Sequence, residues 1–290
     1  MAIAVPYKEV MMELGKTQEL KICRKVDFGL FLGEEGEEIL LPANEIPKDL
    51  DVDKAIDEDI AIEVFVMRDS KDRMIATTQK PKVEVGGLAL LKVKEVTGLG
   101  AFLDWGLGKD LFLPYKEQTV KVVEDDEVLV GVYLDKSNRI CSTMKVYEYL
   151  SVNADYSEED EVEAYVYNIN LKYGAFVAVD YKYHGLIQNK ELNRRLRIGD
   201  VVKARVKSVR TDGKLDLSLR KKAYLQIEDD AKAIVEFMEN NGGRIPYTDK
   251  ASPEVIKEDF SMSKNEFKRA IGRLLKEGKI VINKDDIAFK

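Results

Sequence analysis

The stretch LKYGAFVAVDYKYHGLI, from Leu171 to Ile187, places a glycine between two aromatic residues in a segment with strand character. Two earlier stretches, VDFGLFLGE and GLGAFLDWG, carry nearly the same phrase. The shared glycines lie 71 and 74 residues apart, at Gly29, Gly100 and Gly174. An internal repeat of roughly 70 residues therefore organises most of the chain.

The three copies share the same order of elements. A β-rich run precedes the phrase, a short apolar strand follows it (EILLP, DLFLP or HGLI), and two further strands are joined by a polar turn (DSKDR, DKSNR or RTDGK). In the last copy Lys203, Arg205 and Lys207 alternate with Ala204 and Val206, with Val209 beyond them on the same apolar face. Five strands in about 70 residues predict an oligonucleotide/oligosaccharide-binding (OB) barrel, and a solenoid is the weaker alternative.

The last 68 residues have a helical pattern instead. Apolar spacing predicts a helix from Ala223 to Asn241, and SPEVIKEDF begins a second helix at the N-cap Ser252. A third helix begins with a capping box, Ser263 and Glu266, and the strands of KIVINKDDIAFK follow it. The predicted fold is mainly β with a small α/β end. It comprises three barrels, at residues 1–80, 81–150 and 151–222, and a winged helix at 223–290.

Charge is distributed unevenly along the chain. The net charge is −7, yet residues 182–222 hold 13 basic and 4 acidic side chains, whereas residues 1–80 hold 11 basic and 18 acidic ones. A local excess of this kind indicates a nucleic-acid partner, and the alternative is an ordinary solvated charged face.

Several classes of protein are disfavoured by the sequence. No apolar run approaches the roughly 20 residues of a membrane span, and the first residues lack the basic, apolar and cleavage-site pattern of a secretory signal, so none is expected. The two cysteines have no metal-ligand spacing, so a cytoplasmic location without metal or cofactor is expected. One histidine and no nucleotide-cradle, zinc-protease or serine-hydrolase motif predict a protein that is not an enzyme.

The aromatic residues beside the repeated glycines are the first candidates for a binding role. Residues of opposite parity face opposite sides of a strand, and a bulge can re-aim one of them. Tyr173 and Phe176 in the third copy, and Phe28 and Phe31 in the first, are therefore expected near each other on the solvent face. Exposed aromatics on such a barrel stack against unpaired bases, although a core position is the more common role for any one aromatic residue.

The phrases YGAFVAVD, HGLI and IGDVVKARVKSVRTDGKLDLSLR resemble the S1 RNA-binding domain of the OB class. The whole chain, including DKASPEVIKEDFSMSKNEFKRAIGRLLKEGKI near its end, resembles the conserved virulence factor B family of bacterial RNA-binding regulators. The resemblance implies a single-stranded RNA partner and post-transcriptional or translational control of gene expression, including that of virulence factors.

In the S1 family the RNA face comprises two aromatics, a histidine, an aspartate and a basic residue. The resemblance carries these roles to the third copy at Tyr173, Phe176, Gln188, Arg210 and Lys214. In the second copy they fall on Leu99, Phe102, Pro114, Asp135 and Arg139. In the first copy they fall on Phe28, Phe31, Pro42, Asp69 and Arg73.

The departures from the family pattern lower our expectations for the first two copies. Leu99 replaces an aromatic, both copies have proline where the histidine is expected, and acidic runs lie close by. We therefore expect the third copy to dominate RNA affinity, with Lys203, Arg205, Lys207 and Arg220 added to its phosphate contacts. His184 lies four residues before the family histidine position and is expected to be peripheral, in a loop.

The winged helix has a basic third helix, in which Lys264, Lys268 and Arg273 share one face. The domain as a whole holds 12 basic and 13 acidic residues, and Asp285 and Asp286 lie at the wing tip. An auxiliary RNA contact or a docking role is therefore favoured over reading of duplex DNA. Two alternatives to RNA binding stay open: docking on the ribosome or the transcription machinery, and DNA-binding regulation through the winged helix.

Overall fold

Each copy of the repeated phrase folds into the second strand of a closed five-stranded barrel. The computed structural model describes residues 12–34, 36–220 and 223–290, without the side chains of residues 223–225. One unit, which ends at Leu219, contains the three barrels, and a second unit, which begins at Arg220, contains a winged helix. The predicted fold class is therefore confirmed.

The strands of the three barrels follow one scheme. The first barrel comprises β1 (Thr17–Val26), β2 (Gly29–Glu34), β3 (Glu37–Pro42), β4 (Ala61–Arg68) and β5 (Met74–Thr77), with helix α1 (Val52–Asp57) between β3 and β4. The second comprises β6 (Leu88–Val96), β7 (Gly100–Asp104), β8 (Leu111–Pro114), β9 (Glu127–Leu134) and β10 (Ile140–Thr143). The third comprises β11 (Glu161–Asn170), β12 (Gly174–Val179), β13 (Tyr183–Gln188), β14 (Val201–Val209) and β15 (Leu215–Ser218).

Closure is achieved in the same way each time. The first strand pairs with the second and fourth, the second with the third, and the fifth with the fourth, all antiparallel; the third and fifth pair in parallel. The other two barrels repeat this order. Alternate residues of β12, Ala175, Val177 and Val179, fill the third core, while their neighbours face outward.

The repeated glycine is fixed by backbone geometry. Gly174 has φ +127°, and a Cβ at this position would collide with the carbonyl oxygen of Ile187 on β13. Gly29 has φ +153°, with the same obstruction from Leu41. The glycine lets β12 begin in close contact with β13, whatever the barrel binds.

A second repeated feature, which the sequence analysis missed, ties the end of each barrel together. A glutamate in the short 3₁₀ turn after the third strand accepts a hydrogen bond from a hydroxyl at the end of the fifth strand. The oxygen–oxygen distances are 2.8 Å for Thr77 to Glu45, 2.8 Å for Thr143 to Glu117 and 2.7 Å for Ser218 to Glu191. All three hydroxyl residues are buried, so the carboxylate satisfies a donor that lies away from water.

The barrels of the first unit pack on one another through aromatic residues. Phe65 of the first barrel meets Trp105 of the second edge to face, with the ring centroids 5.6 Å apart. Between the second and third barrels, Tyr165 is buried beside Leu129, and its hydroxyl accepts a hydrogen bond from the Leu129 backbone at 3.4 Å. Outward residues of these strands are therefore partly covered by a neighbouring barrel.

The second unit has the predicted three helices and C-terminal hairpin, together with one short strand at residues 244–245 that was not predicted. They are α2 (Ala223–Asn240), β16 (Arg244–Ile245), α3 (Pro253–Phe260), α4 (Lys264–Lys276), β17 (Ile280–Ile282) and β18 (Ile287–Phe289). Ser252 caps α3, and Ser263 with Glu266 forms the predicted capping box of α4. Phe267, Ile271 and Leu274 bury one side of α4, as their spacing predicts.

Two details of the sequence analysis were wrong. Val209, expected on the apolar face, is 42% exposed: the bulge between Val206 and Ser208 does pair it with the buried Leu215, but it is the last residue of β14 and stays accessible to solvent. His184, expected in a loop, lies within β13 and is buried. Within the described part of the chain, no helix combines the length and the apolar character that a membrane crossing requires.

Candidate nucleic-acid interface

The outward face of each barrel carries one residue from each of four adjacent strands in a continuous row. Strand register defines the row in the third barrel as Phe176, Leu186, Asp216 and Ser208. In the second barrel the equivalent row is Phe102, Phe112, Cys141 and Tyr133. In the first barrel it is Phe31, Leu40, Ile75 and Met67. The three copies share a scaffold and differ in the chemistry of this row.

In the third barrel, the turn between β11 and β12 presents Tyr173 to solvent. Its side chain is 51% exposed, and Leu171 beside it is 95% exposed. The Asn170 side chain accepts hydrogen bonds from the backbone N–H groups of Lys172 and Tyr173, at 2.9 and 3.2 Å. The Asn189 side chain donates to the carbonyl of Leu171 at 2.8 Å. The turn is thus held from both sides, so Tyr173 is displayed on an ordered support.

Phe176, the second predicted aromatic, lies differently. It is half-buried and packs against the cluster between the second and third barrels, 6.5 Å from the ring of Tyr167. Its neighbour on the same face of β12, Ala178, is completely buried there. Phe176 therefore lies at the border between the inter-barrel contact and the open face, and only Tyr173 stands clear of the packing.

Gln188 is the third residue carried over from the family pattern. It closes β13 and pairs with Gly174, so it lies beside the start of β12 and the Tyr173 turn. Its side chain is partly exposed. The structure therefore brings together Tyr173, Phe176 and Gln188 at one end of the third barrel.

The basic residues of β14 form a separate group. Lys203 lies opposite Glu163 of β11, and Arg205 makes a 2.6 Å ion pair with Glu159. Because β14 pairs with β11 and β15, this part of the strand does not adjoin β12. Lys203 and Arg205 are therefore not part of the group around Tyr173.

Lys207 lies closer to that group but has an intramolecular partner. Its ammonium is 2.6 Å from the carboxylate of Glu191, in the turn that follows β13. The same carboxylate accepts the Ser218 hydroxyl. The hydrogen bond from Lys207 lowers the pKa of Glu191 below its ordinary value. A phosphate contact at Lys207 has to compete with this carboxylate.

The β14–β15 turn holds two further predicted contacts around one carboxylate. Asp212 lies 3.3 Å from Arg210 and 3.5 Å from Lys214. The Lys214 ammonium also donates to the Tyr147 hydroxyl at 3.0 Å, which raises the pKa of Lys214. Arg220, the last residue of the predicted set, is exposed and belongs to the second unit.

His184 is part of the same neighbourhood but not of the open face. Its ring lies 4.6 Å from that of Tyr147, and burial, followed by the charge of Lys214, lowers its pKa. The single histidine thus has a packing role between the third barrel and the segment before it.

The predicted residues of the first barrel lie close together, but several of them are ion-paired or covered by another side chain. Phe28 is 60% exposed and meets Phe31 at 6.3 Å, while the Arg24 guanidinium covers the Phe31 ring at 3.8 Å. Arg73 is bound to Asp69 by two side-chain hydrogen bonds, of 2.8 and 2.7 Å. Backbone and side-chain hydrogen bonds from Arg73 help to lower the pKa of Asp69.

Access to Pro42 of the first barrel is also restricted. Pro42 and Asp69 line a recess whose other wall is the 107–109 loop of the second barrel. The Lys109 ammonium donates to the carbonyls of Arg68 and Asp69, both at 3.2 Å. This loop therefore covers part of the surface that corresponds, in the first barrel, to the RNA face of the S1 family.

The second barrel contains two functional candidates that the sequence analysis overlooked. Phe112 and Tyr133 join the predicted Phe102 and Arg139 around one cleft, and Pro114 and Asp135 also line it. Leu99 is 79% exposed at the position of Tyr173. Period-two alternation in DLFLP and VLVGVYLD already places Phe112 and Tyr133 on the outward faces of β8 and β9.

In the winged helix, the predicted basic residues are partly neutralised. Lys268 lies 3.6 Å from Asp249, and the Arg273 Nε donates to Glu277 at 2.7 Å. Lys264 donates to the carbonyl of Lys250. At the wing, Asp286 accepts hydrogen bonds from Asn283 and lies 3.6 Å from Arg244. Carboxylates therefore pair with Lys268 and Arg273 of α4, whereas Lys264 contacts only a backbone carbonyl.

Three barrels of this topology followed by a winged helix define a protein of tandem S1-type domains. The S1 domain model matches residues 14–79 and 85–145, and the model "Virulence regulatory factor CvfB, second domain" matches residues 148–221. The CvfB-like winged helix domain matches residues 232–289.

Relatives of similar length support the same assignment. The uncharacterized protein YitL of Bacillus subtilis is 31% identical over 284 residues, which cover 94% of this chain and 92% of YitL. Conserved virulence factor B of Staphylococcus saprophyticus is 29% identical over 295 residues, covering 99% of this chain and 93% of the relative. The chain belongs to the conserved virulence factor B family.

A solved structure shows the same architecture. A multidomain protein with nucleic acid binding domains from Streptococcus pneumoniae has 27% sequence identity and a TM-score of 0.50. The match covers 96% of this chain and 98% of the pneumococcal one. The matched models describe a regulatory factor with S1 and winged-helix domains, and none of them is a catalytic family.

Proposed function

We propose that this protein binds single-stranded RNA without catalysis, mainly through the third barrel, and thereby controls gene expression after transcription or during translation. The S1 and CvfB matches and the nucleic acid binding domains of the pneumococcal relative support this proposal. The observation that carries it is the hydrogen-bonded turn at residues 170–173, which holds Tyr173 half-exposed at one end of the third barrel.

The binding mechanism combines stacking with charge neutralisation. An unpaired base stacks on Tyr173, and Phe176 and Gln188 extend the contact toward β13. The ammonium of Lys172 lies over the Tyr173 ring, 5.2 Å from its centroid, so a stacking base takes the other face of the ring or displaces this cation. Stacking tolerates every base, so this site binds single strands with little sequence preference.

Phosphate contacts come from the exposed cations around this end of the barrel. Arg194 and Arg195 are exposed in the loop before β14, and Lys207, Arg210 and Lys214 follow on β14 and its turn. The last three exchange an intramolecular partner for phosphate on binding, which reduces the net gain from each contact. The winged helix contributes only an auxiliary contact. Its cations Lys268 and Arg273 are already paired with carboxylates of the same unit, which weakens their attraction for phosphate.

A matched set of three substitutions tests the site. Tyr173→Ala, Leu99→Ala and Phe28→Ala truncate the equivalent exposed residue in the third, second and first barrels. The affinity of each full-length variant for a fluorescein-labelled decauridylate is measured by fluorescence anisotropy at low salt. Tyr173→Ala is expected to raise Kd roughly 5- to 150-fold, since one base-stacking contact contributes about 1–3 kcal/mol.

The two control variants are expected to change Kd less than about twofold, within the scatter of surface substitutions. If Tyr173→Ala binds like the wild type while the protein does bind RNA, the site assignment is wrong. If the wild type has no affinity at low salt, RNA binding itself is wrong. That result favours docking on the ribosome or transcription machinery through the exposed apolar turn.

The alternative of a duplex-DNA regulator is weaker. Asp286 at the wing is held by Asn283 and Arg244, and acidic partners neutralise two of the three predicted cations of α4. Tight duplex binding by the full chain, unaffected by Tyr173→Ala, is the outcome that supports this alternative.

A further inference from the structure

The outward row of the second barrel lies at the bottom of a cleft that the first barrel helps to form. We call this space the barrel-2 cleft, and its volume is about 410 Å³. The second barrel supplies most of its lining, and the first barrel adds Met67, Arg68 and Asp72. A volume near the lower end of small-molecule pockets, roughly 300–1,000 Å³, suits one nucleotide rather than a run of them.

The base of the cleft is aromatic. Phe102 and Phe112 lie side by side, with ring centroids 5.3 Å apart and planes tilted by 40°. Cys141 and Tyr133 continue the row, and the buried Trp105 also lines the cleft. Such a surface offers π-faces and apolar atoms to a flat ring system.

The polar atoms of the row are available to a ligand. Burial raises the pKa of Tyr133 to about 12, so its hydroxyl stays protonated at neutral pH. Among residues 12–34, 36–220 and 223–290 the structure gives this hydroxyl no hydrogen-bond partner. The Tyr133 hydroxyl can therefore donate to, or accept from, the edge of a bound base.

Residues of the first barrel close one side of the cleft. The Arg68 Nε donates to the carbonyl of Asn138, in the β9–β10 turn, at 3.0 Å. Lys109 of the second barrel donates back to the carbonyls of Arg68 and Asp69. These contacts close the cleft on the side of the first barrel, so less of the row is open than on an isolated barrel face. The barrel-2 cleft therefore favours a single nucleotide.

The charges at the rim suit a phosphate. Asp110 is paired with Lys94 at 2.8 Å and Asp72 with Arg68 at 3.8 Å, so these carboxylates are partly neutralised. Lys116 is exposed, and its ammonium has no partner within the described part of the chain. Arg139 contacts Asp135 only at 3.6 Å. Lys116 and Arg139 therefore provide positive charge beside the aromatic row.

We infer that the barrel-2 cleft is a separate binding site for a single nucleotide, with the base on Phe102 and Phe112 and the phosphate near Lys116 and Arg139. This site does not depend on the third-barrel face. The other barrels lack the combination: Ile75 and Met67 of the first row pack into the inter-barrel contact, and Asp216 interrupts the third row. The nucleotide is either free or the end of an RNA strand.

Trp105, the only tryptophan of the chain, lines the cleft and gives a readout specific to this site. The full-length protein is titrated with uridine 5′-monophosphate, adenosine 5′-monophosphate and the tetranucleotide pUUUU, and the Trp105 fluorescence is followed. A saturable change with a monophosphate assigns the site to a free nucleotide. A saturable change with pUUUU alone assigns it to a strand end.

Two variants test the geometry. Phe112→Leu keeps an apolar side chain but removes one ring, and it is expected to raise Kd about tenfold. Lys116→Gln is expected to weaken binding several-fold, whereas the equally exposed Lys121→Gln, outside the cleft, is the matched control and leaves Kd unchanged.

The third-barrel variant Tyr173→Ala is expected to leave the Trp105 titration unchanged, so failure here is distinguishable from failure of the proposed RNA site. No Trp105 response to any of the three probes up to about 5 mM overturns the inference. Equal affinity of Phe112→Leu and the wild type also overturns it.

Discussion

The hydrogen bond between Glu117 and Thr143 permits a quantitative test of how each barrel is closed. The hydroxyl donates to the carboxylate at 2.8 Å, and Thr143 is buried. A hydrogen bond to a charged group contributes about 1.5–3 kcal/mol, and its loss leaves a buried donor unsatisfied. The Lys145 ammonium, 3.3 Å away and largely exposed, adds only about 0.2–1 kcal/mol.

Glu117→Ala is therefore expected to lower the free energy of unfolding by about 2–3 kcal/mol. Thr143→Val, which removes the donor and leaves Glu117 its contact with Lys145, is expected to cost about 1–2 kcal/mol. The double variant should be less destabilised than the sum of the two, with a coupling energy of about 1–2 kcal/mol.

Urea unfolding followed by Trp105 fluorescence measures these values, because the single tryptophan lies in the second barrel. Glu124→Ala, at an exposed acidic position of the same barrel, is the control and should stay within about 0.5 kcal/mol of the wild type. Strict additivity of the two substitutions would refute the role given to this hydrogen bond.

Three further predictions concern stability and reactivity. Phe176→Ala is expected to lower the thermal stability of the full chain, by about 2 kcal/mol for this half-buried ring, whereas Tyr173→Ala should not; equal melting temperatures of the two variants contradict this. The pKa of Glu191 lies below its ordinary value of 4.5, chiefly because of the hydrogen bond from Lys207, so its carboxylate stabilises the barrel above that pH. This contribution is lost as the pH falls from 4.5 through the lowered pKa, and Glu191→Gln should reduce the fall of the urea midpoint below pH 4.5. Burial raises the pKa of the Cys141 thiol, so iodoacetamide should modify it more slowly at pH 8 than a free cysteine, and faster labelling contradicts its placement.

The sequence was sufficient for the fold because strand alternation, turn residues and caps are local signals. Gly174 begins β12 as its repeats imply, and Ser263 begins α4 as a capping residue should. The division of each strand into two faces also followed from parity. That rule placed the side chain of Phe176 on the outer face of β12, and the structure has it there.

The candidate site was less accessible to sequence reasoning because parity does not say what covers an outward face. Phe176 and Ala178 face outward from their own barrel and are covered by the neighbouring one. The ion pairs of Arg205 and Lys207 depend on side chains distant in the sequence, so the basic strand is less available than its composition suggested. His184 is buried for the same reason, since Tyr147 packs over it.

The second barrel shows a feature that the repeated phrase does not reveal. The loss of an aromatic at Leu99 suggested a weak site, yet Phe112 and Tyr133 supply a continuous row with Phe102. These residues lie on β8 and β9, away from the repeated phrase, and they become neighbours only when the barrel closes.

The most direct test of the central claim is photocrosslinking of the full-length protein to a single-stranded decanucleotide that contains 4-thiouridine, followed by mass spectrometry of the crosslinked peptides. Binding at the third-barrel face predicts that the main crosslinks fall within residues 170–188, at the Tyr173 turn and the adjoining strands. Crosslinks confined to the winged helix, or the absence of any crosslink to the third barrel, would contradict the account.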